Sequence, residues 1–321
     1  MHILAIIPGG LSDQLLFFPT FTTLQRHYPQ AKIDVVVEPK AKPAYRLSRI
    51  VHKVITFGFD NRNGPADWSN FLGQVREREY DIVITLEPNW TLGMLLWLTG
   101  IPKRVSYAGP RRQLWLTDTV PLQRKQYAAA QYHDLLKGLA IQAPCPALSL
   151  TVPSTAIAWV QTERSRLELG IDQPFLLLYS DLSDENTRGP SPYPLDSWQA
   201  LIQGVQDRRP DLPIVLLNQD PSNQDWISAL ITSHRDLKVS SPSTIEQSAA
   251  LIAAAVQLIC TDSTVMQLGV AVNTELVALF GPTNPEVLLP VSDRCTGLKS
   301  PTGNMAVIPP IQILDKIFKG A

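Results

Sequence analysis

The sequence predicts an α/β protein of two Rossmann-like domains with parallel sheets. Short apolar, β-branched segments alternate with longer amphipathic segments along the whole chain, as in strands joined by crossover helices. The 321 residues suffice for two hydrophobic cores. A proline-containing segment, Ile141–Pro153, interrupts the pattern near the middle. We therefore expect a first domain at residues 1–150, a linker and bridging helix at residues 151–172, and a second domain at residues 173–321.

The apolar segments of the first half predict strands at Ile3–Ile7, Ile33–Val37, Lys53–Thr56, Asp81–Thr85 and Arg104–Tyr107. The amphipathic segments of this half predict helices at Ser12–His27, Ala66–Glu79 and Tyr127–Leu139. The bridging helix is expected at Thr155–Leu169. In the second half, strands are predicted at Phe175–Tyr179, Ile214–Leu217, Val256–Thr261 and Leu276–Phe280. Helices are predicted there at Leu195–Asp207, Asn223–Ser233, Thr244–Ala255, Val265–Val270 and Pro310–Lys319.

Charge and cysteine content exclude several classes of protein. The net charge of −1 gives no basis for bulk nucleic-acid binding. The three cysteines lack CxxC spacing, which argues against a disulfide framework or a zinc site and favours a reducing compartment. No apolar run approaches the roughly 20 residues of a membrane span.

The first predicted strand runs into a turn, Pro8–Asp13, that opens a helix. Gly9 and Gly10 permit a tight backbone path, and Ser12 or Asp13 can cap the helix. Capping alone is one interpretation of Asp13. The other places Asp13 at the carboxyl end of the first parallel strand, where open α/β sheets bind ligands. A carboxylate there can accept a proton from a hydroxyl nucleophile.

The same turn lacks the GxGxxG fingerprint of dinucleotide-binding proteins. Glu38 nevertheless ends the second strand, where a dehydrogenase has its ribose-binding acid. A nicotinamide-dependent enzyme is therefore one interpretation of the function of this chain, and a weak one.

A second polar turn lies late in the chain, between two apolar strands. Asp262, Ser263 and Thr264 follow one strand and begin a helix, and Gly281-Pro282-Thr283 follows the next strand. Hydroxyl groups and backbone amides at the start of a helix form an anion site, usually for phosphate.

Both turns lie in segments that resemble one known family. These segments are GGLSDQLLFFPTFTTLQRHYPQAKIDVVV near the start, YDIVITLEPNW with IPKRVSYAG, and DSTVMQLGVAVNTELVALFGPTNPE. They are similar to glycosyltransferase family 9, the ADP-heptose:lipopolysaccharide heptosyltransferases. The resemblance implies a GT-B fold, in which two Rossmann-like domains face an interdomain cleft. It also implies inverting, metal-independent transfer of a heptose-like sugar without a cofactor.

The resemblance carries roles onto individual residues. The catalytic base of the family corresponds to Asp13. The donor-binding positions correspond to Ser180, Arg188, Glu246, Asp262, Ser263, Thr264, Gln267, Gly281, Pro282 and Thr283. The acceptor-binding positions are Gly10, Ser12, Arg111 and Arg112. No metal site is expected, because the chain has no D-x-D pair and its five histidines are dispersed.

The donor site departs from the family at three positions. Thr264 replaces a glycine, Gln267 replaces a histidine, and the lysine before the Trp-Pro pair is missing, although Tyr193-Pro194 matches that pair. Arg188 is a candidate replacement for the missing charge. These changes leave a second hypothesis open, a catalytically silent GT-B binding or scaffold protein.

The resemblance also suggests partners and a location. The expected partners are an ADP-heptose-like nucleotide-diphosphate sugar and a lipopolysaccharide-core, glycan or lipid-linked acceptor. Nucleic acid is not expected. The expected location is the cytoplasm of a bacterium, with peripheral contact at the cytoplasmic face of the inner membrane.

Overall fold

The computed structural model describes residues 1–59, 63–87, 89–109, 114–182 and 192–318. It divides into two compact units, Met1–Thr151 and Val152–Ala321. Ile141–Pro153, where the prolines predicted an interruption, contains no helix or strand. Within the described ranges, no helix is long and apolar enough to cross a bilayer.

The first unit contains a six-stranded parallel sheet in the order β3-β2-β1-β4-β5-β6. The strands are β1 (His2–Ile7), β2 (Lys32–Val37), β3 (Val51–Thr56), β4 (Ile82–Thr85), β5 (Lys103–Tyr107) and β6 (Asp118–Val120). The central strand β1 pairs with β2 on one side and β4 on the other. Its residues Ile3 to Ile7 are fully buried, as expected for a strand covered on both faces.

Four α-helices accompany this sheet in the described part of the first unit: α1 (Leu11–His27), α2 (Pro65–Arg76), α3 (Trp90–Leu98) and α4 (Ala128–Asp134). Two 3₁₀-helices, Pro39–Leu47 and Leu135–Leu139, complete the unit. Helix α1 packs against α4, where the rings of Phe17 and Tyr132 lie 6.2 Å apart.

The second unit repeats this topology. Its parallel sheet has the order β12-β11-β10-β7-β8-β9, which is the order of the first sheet when each is numbered from its own first strand. The strands are β7 (Leu176–Tyr179), β8 (Ile214–Leu217), β9 (Lys238–Ser240), β10 (Gln257–Thr261), β11 (Glu275–Phe280) and β12 (Cys295–Lys299). Both sheets therefore reverse strand order beside their first strand, between β1 and β4 and between β7 and β10. Ligands of open α/β sheets bind outside the carboxyl ends at such a point.

The helices of the second unit, within the described residues, are α5 (Ser154–Arg166), α6 (Leu195–Arg208), α7 (Gln224–Ser233), α8 (Ile245–Ala254), α9 (Thr264–Ala271), α10 (Pro285–Leu288) and α11 (Pro310–Ile317). Pro221–Asn223 and Met305–Val307 are 3₁₀-helices. The fully buried Trp198 lies at the centre of an aromatic cluster, 5.3 Å from the ring of Tyr193 and 5.6 Å from that of Trp226.

The predicted strands and helices are confirmed, with ends that differ by one to a few residues. Three strands, β6, β9 and β12, were not predicted. β6 and β9 are only three residues long, and β12 contains Gly297, which interrupts an apolar pattern. The predicted helix Tyr127–Leu139 is α4 followed by a 3₁₀-helix. The missed strands lie near the outer edges of their sheets, where the apolar pattern that reveals buried strands is weakest.

Candidate functional site

The backbone of the turn between β1 and α1 fixes the side chain of Asp13. Gly9 has φ +154°, and a Cβ atom there would lie 2.4 Å from Asp13 Oδ2. Gly10 is the N-cap of α1, and its backbone N–H donates to Asp13 Oδ2 at 3.1 Å. Asp13, the third residue of α1, thus binds the N-cap amide, and its negative charge lies favourably in the first turn of the helix.

The other carboxylate oxygen of Asp13 is bound by a residue that sequence analysis missed. The Tyr132 hydroxyl, on α4, donates to Asp13 Oδ1 at 2.7 Å across 119 residues of sequence. Burial, and then the charge of Asp13, raise the pKa of Tyr132 above its ordinary value. No motif in the sequence links these two residues.

The end of β4 brings a second carboxylate to the same edge of the first sheet. The N–H of Glu87 donates to Thr85 Oγ1 at 3.0 Å, and Glu87 Oε1 accepts from the N–H of Asn89 at 3.1 Å. Since β1 and β4 are neighbours, these groups follow the strand beside the Asp13 turn. Sequence analysis did not single out Glu87.

The remaining acceptor-binding positions stay predictions. Gly10 and Ser12 lie in the Asp13 turn and are half-buried. Arg111 and Arg112 lie outside the described residues.

In the second unit, the turn after β10 begins α9 as the sequence predicted. Ser263 is the N-cap, and its hydroxyl accepts from the N–H of Met266 at 3.3 Å while donating to the Thr261 carbonyl at 3.0 Å. Thr264 is the first residue of α9. The first amides of a helix have no partners within it, so this turn has the character of an anion site.

Asp262 connects this turn to its two neighbours. Its backbone N–H donates to the Leu279 carbonyl at 3.1 Å, and its carboxyl group accepts a hydrogen bond from the Thr283 hydroxyl. On the other side, the N–H of Asp181 donates to Thr261 Oγ1 at 2.9 Å. The turns after β7, β10 and β11 therefore meet at one edge of the second sheet.

The environment of Asp262 opposes its ionisation. Burial raises its pKa, the hydrogen bond from Thr283 opposes the shift, and the negative charge of Asp181 adds to it. Asp181 thus lies close to Asp262 at this edge of the second sheet. The site predicted from the sequence included its neighbour Ser180 but not Asp181. Through its backbone N–H and its carboxyl group, Asp262 links the turn after β10 to β11 and to the loop that follows β11.

The other donor-binding candidates occupy different environments. Gln267 is buried, and its Nε2 donates to the Leu288 carbonyl at 2.9 Å, which ties α9 to α10. Ser180 is fully buried, and its hydroxyl has no hydrogen-bond partner among the described residues. Glu246 lies in the first turn of α8, whose N-cap is Thr244, as predicted. Arg188 lies outside the described residues.

The loop after β11 contributes the last three donor-binding candidates. Gly281 is buried, Pro282 is exposed and Thr283 is half-buried. Tyr193, the match to the family's Trp-Pro pair, is buried, and its hydroxyl donates to the Ile308 carbonyl at 2.9 Å. Across the described part of the chain, no group of three or more His, Cys, Asp or Glu side chains is arranged to hold a metal ion.

The close approach of Gly9 to Asp13 predicts different outcomes for two adjacent substitutions. Gly9→Ala places a methyl group against the Asp13 carboxylate and should lower the free energy of unfolding by about 1–3 kcal/mol. Gly10→Ala is the control, since no atom lies within 4 Å of its added Cβ, and should lower it by about 1 kcal/mol or less. Urea unfolding measures both, and equal losses would contradict the described packing.

The pKa shift of Asp262 predicts a pH-dependent gain in stability for Asp262→Asn. Because its pKa is raised in the folded protein, the ionised carboxylate lowers stability once the pH exceeds the ordinary carboxyl range, about 4. The amide keeps an acceptor for Thr283 but carries no charge. The variant should therefore unfold at higher urea concentration than the wild type at pH 7, and the difference should shrink below pH ~4.

Asp220→Asn is the control for this experiment. Hydrogen bonds from Ser222 lower the pKa of Asp220, so its charge stabilises the folded protein slightly above the carboxyl range. Its substitution should lower stability a little at pH 7, because the group is exposed. A loss of stability in Asp262→Asn at pH 7 would contradict the assigned environment.

Comparison with known proteins identifies the family of the chain. Residues 68–312 match the model of glycosyltransferase family 9 (heptosyltransferase). The chain is 24% identical to lipopolysaccharide heptosyltransferase 2 of Escherichia coli K12, over 94% of this chain and 89% of that protein. It is also 24% identical to the photosynthetic NDH subunit of subcomplex B 1 of Arabidopsis thaliana chloroplasts, over 94% of this chain and 70% of that protein.

A solved structure shows the same fold. The Escherichia coli heptosyltransferase WaaC with ADP-2-deoxy-2-fluoro heptose aligns over 100% of both chains with a TM-score of 0.77 and 18% identity. The family model covers well over half of the sequence, and the α/β architecture agrees with the GT-B fold expected from the sequence. The chain therefore belongs to glycosyltransferase family 9, a family of transferases, and has the GT-B fold.

Proposed function

We propose that this protein transfers a heptose-like sugar from a nucleotide diphosphate to a lipopolysaccharide-core or other glycan acceptor, with inversion and without a metal ion. One observation carries the proposal: Asp13 lies at the carboxyl end of the central strand β1, with each carboxylate oxygen held by a hydrogen bond. A carboxylate positioned in this way is suited to act as a general base.

The proposed step forms one bond and breaks another at the anomeric carbon of the donor. The acceptor hydroxyl oxygen bonds to this carbon from the face opposite the diphosphate. Asp13 takes the hydroxyl proton, and the bond between the carbon and the phosphate oxygen breaks, so that a nucleoside diphosphate leaves. A positioned general base contributes roughly 10²–10⁴-fold to the rate.

Stabilisation of the departing diphosphate is proposed for the second unit. The turn Asp262–Thr264 starts α9, and helix N-termini bind phosphate groups through their amides. Thr283, hydrogen-bonded to Asp262, brings the loop after β11 to the same place. Preorganised donors of this kind stabilise charge that develops as the diphosphate leaves.

The names of the relatives suggest which substrates to test first. One relative is a lipopolysaccharide heptosyltransferase, and one structural neighbour was solved with an ADP-heptose analogue. We therefore propose ADP-heptose as donor and a lipopolysaccharide-core or other lipid-linked glycan as acceptor. Such an acceptor would bring the protein to the cytoplasmic face of a membrane, and this location is part of the proposal.

Asp13→Asn tests the proposed base. The amide keeps the size of the side chain but cannot accept the proton, so transfer of heptose from ADP-heptose to lipopolysaccharide core should fall at least about 100-fold. The affinity for ADP should stay unchanged, because the proposed diphosphate site lies elsewhere. Transfer by the variant at the wild-type rate would reject Asp13 as the base.

A second candidate function is that of a subunit in a larger assembly. The plant relative, of equal identity over the same share of this chain, is named as a subunit of a photosynthetic complex. Thr264, Gln267 and the missing lysine depart from the family's donor site, and Asp181 brings a second negative charge beside Asp262. Each change weakens the attraction of a diphosphate.

Calorimetry with nucleotide-sugars separates the two candidates. If the protein is a metal-independent transferase, at least one ADP-, GDP-, UDP- or dTDP-linked sugar should bind in the presence of EDTA. The substitution Thr283→Val should weaken that binding, and Thr302→Val, on the neighbouring exposed loop, should not. Absence of binding for every donor would favour the assembly subunit.

A further inference from the structure

The hydrogen bond between Tyr132 and Asp13 is the least expected contact in the first unit. Tyr132 donates to Oδ1 at 2.7 Å, whereas the backbone of Gly10 donates to Oδ2 at 3.1 Å. A carboxylate oxygen has two lone-pair sites. One hydrogen bond on each oxygen therefore fixes the carboxylate and still leaves a site on each oxygen for an incoming proton.

Tyr132 is itself held in place by the packing of α4 on α1. Its ring lies 6.2 Å from that of Phe17, which is on α1 one helical turn beyond Asp13. The next residue, His133, is hydrogen-bonded through Nε2 to Thr23 Oγ1 at 2.8 Å. Two consecutive residues of α4 thus contact opposite ends of α1, so the phenol is not free to move away from Asp13.

The phenol also remains a hydrogen-bond donor near neutral pH. Burial and the charge of Asp13 raise the pKa of Tyr132, so it does not ionise there. Its hydrogen bond to Asp13 Oδ1 therefore persists near neutral pH.

Other titratable groups belong to the elements packed around α1 and α4. They are Tyr45, Tyr107, His133, Asp134 and Lys137. Burial raises the pKa of Tyr45 and of Tyr107 and lowers that of His133, so these three are neutral near pH 7. Tyr132, on α4, is the residue of these elements whose hydroxyl donates directly to Asp13.

We propose that Tyr132 is a positioning residue for the reaction: its hydroxyl orients the Asp13 carboxylate for proton transfer from the acceptor hydroxyl. This inference rests on the proposed function, in which Asp13 is the base. It assigns a role to a residue on a helix that neither the sequence motifs nor the family resemblance singled out.

Tyr132→Phe tests the inference, because it keeps the ring that packs on Phe17 and removes only the hydroxyl. The ¹³C carboxyl resonance of Asp13, assigned by its loss in Asp13→Asn, is recorded at neutral pH. Its chemical shift should change in the variant, because Oδ1 loses the hydrogen bond from the phenol. Transfer from ADP-heptose to lipopolysaccharide core should lose roughly 10–100-fold in kcat, with KM for ADP-heptose unchanged.

Tyr80→Phe is the matched control. It removes a similar bond, from the Tyr80 hydroxyl to Asp34 Oδ2 at 2.8 Å, near the amino ends of β2 and β4 in the same sheet. This variant should leave both the Asp13 resonance and the kcat of transfer unchanged. A merely structural role of Tyr132 would alter thermal stability without shifting the Asp13 resonance.

The outcomes separate this inference from the proposed function. If the Asp13 resonance in Tyr132→Phe equals that of the wild type, the positioning role is overturned, whether or not transfer is detected. If Asp13→Asn abolishes transfer while Tyr132→Phe changes neither the resonance nor kcat, the proposed function stands without it. If Asp13→Asn transfers normally, the proposed base fails, and the role of Tyr132 in proton transfer fails with it.

Discussion

The parallel pairing of the twelve strands in the described residues is the constraint on which both candidate sites depend. In a parallel sheet the carboxyl ends of all strands lie at one edge, so the turns that follow them meet there. The reversal of strand order beside β1 and beside β7 sends successive connections to opposite sides and leaves the strand ends uncovered between them. Asp13 in one sheet and Asp262 in the other lie at these points because of topology.

The two aspartates show how environment separates residues with the same side chain. Asp13 has one hydrogen-bond donor on each carboxylate oxygen and lies in the first turn of α1. Asp262 is half-buried near Asp181, and only the Thr283 hydroxyl favours its charge. The first arrangement suits proton transfer, and the second suits the joining of two turns. Carboxylates at equivalent strand ends can therefore serve different purposes.

Most of the fold and the turns of the site could be predicted from the sequence, because both depend on local patterns. Buried parallel strands are continuous apolar runs, and a helix start such as that at Ser263 carries its own capping residue. The contact of Tyr132 with Asp13 could not be predicted, since 119 residues separate the two. Gln267 shows a further limit: its position in a motif predicted donor binding, and nothing in the sequence indicated the hydrogen bond from its Nε2 to the Leu288 carbonyl.

We propose that the turn beginning α9 holds a nucleoside diphosphate. A crystal structure of the protein soaked with ADP is the decisive measurement. The diphosphate oxygens should lie within hydrogen-bond distance of the backbone amides at the start of α9. ADP bound without contact to this turn, or no bound ADP at saturating concentration, would contradict it.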